Sequence, residues 1–301
     1  MAVRTNLKGV FYEMIIEHYP VLHQQVLQYL NLKKEGVYID ATCGRGGHSR
    51  YILEAEPGIF LYGIDKDAEA IKEISENLSE FSNFKAINCG FENIDKVLYE
   101  EKISQVDGIL FDIGFSTNQI KNSERGFSFQ IEGPLDMRYD RNNPLTAWEI
   151  INKWDRDNLL WIFQKYGEIK HARKLADAVI QQRKKKNFQT TLELAGFISR
   201  YYGYRGKIHP ATKVFMSLRI AVNNELQVLT EGLKKASDVL SKKGRLVVIS
   251  FHSLEDRLVK KFLKENPEMV VLTKKPVVAD DKELEINPES RSAKMRVAEK
   301  K

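Results

Sequence analysis

Two hydrophobic patterns alternate along the chain. Short apolar runs rich in β-branched and aromatic residues occur from Val37 to Ile39, Ile59 to Ile64, Phe84 to Asn88, Val106 to Phe111 and Arg245 to Ser250. Runs of this length, bounded by Gly, Pro, Asp or Asn, predict buried strands. Between them apolar residues recur every three or four positions, as in Val21, Leu22, Val26, Tyr29 and Leu30 after Pro20, and again over about 67 to 80, 211 to 225 and 226 to 240. That period predicts amphipathic helices. Strand and helix alternate four times and resume for a fifth unit, which predicts an α/β fold: a doubly wound, Rossmann-like parallel sheet with its ligand at the carboxyl ends of the strands. Asp40, Asp65, Phe91 and Asp112 fall at or just past those ends.

The alternation stops between about residues 114 and 144, where the sequence follows neither period. Unstructured loops longer than about 12 to 15 residues are usually functional or disordered, and the glycines, aromatics and paired charges here favour function. Residues 145 to 203 then read as helices. The expected organisation is a sheet domain formed by 19–116 and 206–301, interrupted by an inserted loop and helical domain at 117–205 and preceded by an extension at 1–18.

The first strand runs into Cys43-Gly44-Arg45-Gly46-Gly47-His48-Ser49. Glycines at a strand-to-helix turn permit its dihedrals and the close approach of backbone to a ligand, and the helix start offers free N–H groups. The dinucleotide fingerprint Gly-x-Gly-x-x-Gly/Ala is not met, because Ser49 takes the third position. The turn alone does not separate a cofactor loop from a structural junction. Asp65 sharpens it, lying 21 positions after Gly44, near the spacing of about 20 at which an acid meets a ribose hydroxyl in such folds.

Composition refines the picture modestly. The formal net charge is +6 over 301 residues, and the stretch from Lys153 to Lys207 carries thirteen Lys/Arg against five Asp/Glu, a local excess of eight. Its peak is Arg183-Lys184-Lys185-Lys186, with Tyr201, Tyr202 and Tyr204 interleaved with Arg200 and Arg205. Charge runs are commonly solvated helix faces, whereas interleaved aromatics favour nucleic acid. Two cysteines, Cys43 and Cys89, make neither a disulfide framework nor a zinc pattern, and the expected compartment is the reducing cytoplasm. The apolar run from Val10 to Ile16 is broken by Glu13 and too short to span a membrane, so no membrane partner is expected. His252 has no second His or Cys at ligand spacing, and no metal is expected. Ser253-x-x-Asp256 after the fifth strand reads as a helix cap.

Six segments carry a family resemblance: Gly44 to Ser49, Ser123-Glu124-Arg125-Gly126-Phe127-Ser128-Phe129, Gly133-Pro134-Leu135-Asp136-Met137-Arg138, His209-Pro210-Ala211-Thr212, Ser250-Phe251-His252-Ser253-Leu254-Glu255-Asp256-Arg257 and Ser290-Arg291-Ser292-Ala293-Lys294. From about Tyr19 onward the chain resembles the bacterial ribosomal RNA small-subunit methyltransferase H family, also called MraW. The resemblance implies an S-adenosylmethionine-dependent enzyme of the class I methyltransferase fold. Its implied activity is methylation of the exocyclic N4 of a cytidine in the decoding region of small-subunit ribosomal RNA, free or within the assembled subunit. It places cofactor contacts on Gly46, Gly47, His48, Asp65, Phe91, Asp112 and Gln119. Asp65 would accept from ribose hydroxyls, Phe91 would pack the adenine, and Asp112 could neutralise the cationic end. The chain departs from the family at Thr117 and Asn118, where a second Ser and a Pro are usual. Candidates for orienting the amine or taking its proton are Ser116 and Asp136, and Arg183 to Lys186 are the candidate RNA contacts. A nicotinamide-dependent dehydrogenase and a non-catalytic RNA-binding module are the competing classes; the broken fingerprint and the basic insertion weigh against the former.

Overall fold

The computed structural model describes residues 19–114, 122–203 and 209–301. The extension 1–18, and with it Ser116, Gln119, Tyr204 and Arg205, lies outside the described residues.

Helix α1 (His23–Leu30) leads into strand β1 (Val37–Asp40), followed by α2 (Gly47–Ala55), β2 (Phe60–Asp65), α3 (Ala68–Asn77), β3 (Phe84–Asn88), α4 (Ile94–Glu100) and β4 (Val106–Asp112). Helices α5 (Ala147–Lys153), α6 (Arg156–Lys165), α7 (Ala172–Lys185) and α8 (Thr191–Tyr202) form the inserted layer. After α9 (Ala211–Asn223) and α10 (Glu225–Val239) come β5 (Leu240–Ser250), α11 (Ser253–Glu265), β6 (Met269–Val271), α12 (Asp281–Ile286) and β7 (Lys294–Lys300). The strands form one sheet in the order β3-β2-β1-β4-β5-β7-β6. β1 to β5 are mutually parallel, while β7 pairs antiparallel with both β5 and β6. The strand order turns back between β1 and β4, and a crevice opens there beyond the strand ends, the usual ligand position in open α/β sheets.

Side chains alternate through the sheet into two cores, as the strand period of two requires. Ile39, Ile64, Ile109, Phe111, Leu246 and Val248 point to the face covered by α4, α10 and α11. Tyr38, Leu61, Leu110, Val247 and Ile249 point to the other face, under α1, α2 and α3. The doubly wound sheet expected from the sequence is therefore present. β6 and β7 carry no such periodic signal in the sequence; they complete the sheet beyond β5.

A third core lies among the helices of the insertion and contains Leu135, Met137, Ile150, Phe163, Leu175 and Leu194. Ala211, Val214, Phe215, Leu218 and Val222 of α9 belong to it as well, so the helical layer continues past residue 205 to Asn223. The Thr-x-x-Glu pattern starts two of its helices: Thr146 accepts from the Glu149 amide and Thr190 from that of Glu193. The cap of α11 sits one residue earlier than the expected Ser253. The His252 side chain accepts from the Glu255 amide and the Glu255 carboxylate returns to the His252 amide, a capping box in which histidine supplies the acceptor.

Candidate active site

The turn after β1 follows its glycines. Gly44 and Gly46 have φ of +49° and +90°, the left-handed region that glycine enters without strain. A Cβ on Gly46 would also strike Ile74 of α3 at 2.8 Å. Ser49, which breaks the dinucleotide pattern, has a positive reason to be there: its Oγ donates to Asp40 Oδ2 at 2.7 Å and ties α2 to the end of β1. Asp40 is fully buried, and burial raises its carboxyl above the ordinary range.

Around this turn lies a cavity of about 600 Å³, lined among others by Gly47, His48, Asp65, Phe91 and Asp112. These five expected cofactor residues, drawn from four strand ends, meet in one space. Gly46 shapes the turn without facing the cavity. Asp65 accepts from the Gly44 amide at 2.9 Å and from the Asp67 amide at 2.8 Å, one bond on each oxygen. That grip fixes its carboxylate at the end of β2, while burial raises it to about 6. Asp112 ends β4, its amide donating to Thr42 Oγ1 at 2.6 Å. Its Oδ2 lies 3.5 Å from His48 Nε2, while Oδ1 and His48 Nε2 are buried without a hydrogen-bond partner. Burial pulls the His48 imidazole down, but Asp112, Asp40 and Glu283 outweigh it and leave it raised. Phe91 is half-buried edge-on to Phe111, ring centroids 5.2 Å apart, and a Cβ on Gly232 of α10 would collide with it. It is core wall and cavity wall at once.

The aperiodic loop after β4 closes the far side of this space. Gly126 takes φ of +66° where its backbone crosses that of Pro134, leaving no room for a side chain. The crossing delivers Arg125, which is 3% exposed, to Asp67 beside the end of β2. Phe127 stacks on Tyr139 and Phe129 on His209, so ring contacts link two of the resemblance segments and the residue that follows a third. The C-terminal segment contributes Ser290, which donates to Glu283 Oε1; the same oxygen accepts the Leu22 amide and holds the chain at Tyr19, Pro20 and Val21 against the cavity.

Asp136 stands apart from the cavity lining. Arg138 grips its carboxylate with two bonds of 2.8 Å, holding it below the usual range against the opposing pull of burial. Among Arg183 to Lys186, Arg183 donates to the Ile151 carbonyl near the end of α5, and Lys186 pairs with Glu193 at 2.6 Å. Lys184 and Lys185 are exposed in the last turn of α7, where positive charge also suits the helix dipole.

Sequence reasoning missed Arg125, Tyr139, Glu225 and Glu255, which line the same cavity. Glu225, whose carboxylate receives two bonds from Arg219 at 2.7 and 2.9 Å, belongs to a group with His252 and Glu255 whose ligand atoms lie within 4.8 Å of one another. For Arg125 and Glu255 a charge inside a quoted motif was the available signal, because charges that cannot reach water need partners; Tyr139 and Glu225 lie outside those motifs.

No helix among the described residues is long and apolar enough to cross a membrane. The model of the MraW methylase family matches residues 15–301. A ribosomal RNA small subunit methyltransferase H from Persephonella marina is 47% identical over 293 residues, covering 95% of this chain and all of that protein. The protein of the same name from Coprothermobacter proteolyticus is 46% identical over 288 residues, covering 95% of this chain and 96% of its own. With a family match across nearly the whole sequence and a glycine turn, acids and aromatic wall converging on one crevice, the chain belongs to the MraW methylase family.

Proposed function

We propose that this protein transfers the methyl group of S-adenosylmethionine to the exocyclic N4 of a cytidine in the decoding region of small-subunit ribosomal RNA. The observation that carries the cofactor half is the convergence of Asp65, Phe91 and Asp112 on one cavity at the switch point of the sheet. These residues fit the ligand: two carboxylates for a ribose and a cationic end, one half-buried ring for a purine, and an Asp112 oxygen lacking a partner. S-adenosylmethionine, when bound, supplies a methyl group activated by the adjacent sulfonium charge.

The protein's part is to bind, orient and keep the site dry. Asp65 is held by two amides and still has lone pairs for hydroxyl donors. Asp112 and His48 face the opposite end, where Asp112 would meet an ammonium group. Gly47 lets backbone approach that end. An exocyclic amine can attack a methyl carbon directly once aligned, whereas carbon methylation of cytosine needs a thiolate to add to the ring. Burial raises the Cys43 thiol well above its ordinary range, and burial also raises Cys89. Burial thus disfavours the thiolate that ring-carbon chemistry needs, which supports amine chemistry. Gln119 remains a proposed cofactor contact from the family resemblance, and Ser116 a proposed polar group for the amine from its position in the sequence just after the fourth strand. The relatives are named as acting on small-subunit ribosomal RNA, and the exposed Lys184 and Lys185 supply charge for a polyanion.

Calorimetry with S-adenosylmethionine and with NAD, followed by methyl transfer to small-subunit ribosomal RNA or assembled small subunits, tests this function. Binding of S-adenosylmethionine with labelled methyl on the RNA is expected. Tight NAD binding, or no transfer to either RNA form, would contradict it.

A further inference from the structure

On the wall of the cavity facing the insertion, Glu255 is 1% exposed. Its two oxygens are in different situations. Oε2 accepts the Phe251 amide at 2.9 Å and the His252 amide at 3.2 Å, closing the capping box of α11. Oε1 makes no hydrogen bond, although His252 Nε2 lies 3.0 Å away and the site is lined by polar groups. A buried carboxylate oxygen outside hydrogen-bonding geometry carries a desolvation cost that a well-placed bound donor would relieve. We propose that Glu255 Oε1 accepts a hydrogen of the target base's exocyclic amine and takes the surplus proton once the nitrogen is methylated.

The placement supports this role. Glu255 follows the end of β5, which is hydrogen-bonded to β4 alongside Asp112, so the carboxylate lies next to the end of the cofactor crevice. A Cβ on Gly114 would meet the Phe251 ring at 3.2 Å, and this ring lines the cavity between the two strand ends. Neighbouring charges are already committed: Arg219 grips Glu225 with two bonds, and the Tyr139 hydroxyl donates to Glu225 at 3.3 Å. His252 Nδ1 accepts the Glu255 amide at 3.4 Å, and Nε2, 3.0 Å from Oε1, makes no hydrogen bond either. The imidazole is thereby placed beside the carboxylate that receives the proton.

The proton balance is simple. As the amine nitrogen bonds to the methyl carbon, the carbon–sulfur electron pair stays on sulfur, and the nitrogen is left with one proton too many. That proton passes to Oε1 and then to water. The same oxygen would discriminate bases, since a cytosine amine donates to it while the carbonyl of uracil would repel it.

This proposal rests on the proposed methyl transfer, and the variant Glu255→Gln separates the two. The amide oxygen can still receive the Phe251 and His252 amides, so S-adenosylhomocysteine affinity by calorimetry is expected to stay within about threefold of wild type. Turnover with saturating RNA should fall by about a hundredfold or more, the usual worth of a positioned base. In protein loaded with S-adenosylhomocysteine, the preference for target-site RNA carrying cytidine over the same RNA carrying uridine should also be lost. A folded, cofactor-binding variant with wild-type turnover and wild-type base preference would overturn the proposal without touching the methyltransferase function. Failure of wild type to methylate at all would instead overturn the function.

A wild-type measurement decides the matter should the variant not fold. Activity should survive chelation. Loss on chelation and recovery with Mg²⁺ or Mn²⁺ would assign Glu225, His252 and Glu255 to a cation and overturn the proton role.

Discussion

The Arg125 guanidinium lies 3.1 Å from Asp67 Oδ2, with the two side chains 4% and 9% exposed. Its second nitrogen donates to the carbonyls of Arg138 and Tyr139. One side chain thus pins the loop after β4, the strand carrying Asp112, to the first turn of α3, two residues beyond Asp65. The cavity keeps its shape because this pairing holds the insertion over the end of β2.

Arg125→Ala should therefore cost stability and cofactor affinity together. Removing one partner of a buried ion pair strands the other, and about 3 to 5 kcal/mol is the usual loss. Denaturant unfolding measures the first effect and calorimetry with S-adenosylmethionine the second. Unchanged values for both would show that the loop is held in place by its stacked rings instead.

Asp65 makes opposite demands on folding and on binding. Its carboxyl is raised from 3.8 to about 6 by burial. The folded state thus holds its proton more tightly than the unfolded chain. The resulting stability is fully present below pH about 3.8 and is lost as pH rises through about 6, a change of about 3 kcal/mol. Comparing wild type with Asp65→Asn by denaturant unfolding at pH 4 and pH 7 isolates it. Cofactor affinity should run the other way and strengthen as Asp65 ionises, while Asp65→Ala should weaken binding by about 1 to 3 kcal/mol through unpaired hydroxyls. Unchanged affinity in a folded variant would remove Asp65 from the ribose.

What was legible in the sequence was local. The glycine turn, the strand runs and the 21-residue step from Gly44 to Asp65 depend on short spacings, so the runs and their polar ends were enough to put Asp65, Phe91 and Asp112 at strand termini, with Gly47 and His48 in the turn. Asp67 bonding to Arg125, or Glu283 bonding to Leu22 across 261 residues, depends on long-range packing that no periodicity encodes. β7 was hidden for a similar reason: Lys294-Met295-Arg296-Val297-Ala298-Glu299-Lys300 becomes a strand because β5 and β6 flank it, and Asp256 neutralises its buried Arg296 at 2.6 Å. At Asp136, residue type and a place in the loop after the fourth strand suggested a group to orient the amine or take its proton, while the grip of Arg138 is visible only in three dimensions.

The basic run should behave as two free cations rather than four. Neutralising Lys184 and Lys185 should flatten the salt dependence of RNA binding by about 0.7 to 0.9 in log–log slope for each phosphate left without its cation. Arg183→Gln should mainly loosen the end of α5, read as lower thermal stability. A wild-type salt slope in the Lys184 and Lys185 variant would return this helix end to solvated surface.

Neither thiol is expected to enter the reaction. The double variant Cys43→Ala, Cys89→Ser should retain methyl transfer within about tenfold of wild type, or about 1.4 kcal/mol of barrier. A folded, cofactor-binding double variant with turnover reduced by several orders of magnitude would point to attack through the ring.

Mapping the methyl group on the product tests the central claim most directly. Small-subunit ribosomal RNA, free or in assembled subunits, is incubated with the protein and isotopically labelled S-adenosylmethionine, then digested to nucleosides for mass spectrometry. The label should appear on the exocyclic N4 of a single decoding-region cytidine. Label on a ring carbon, on a ribose oxygen or on another base would contradict the account.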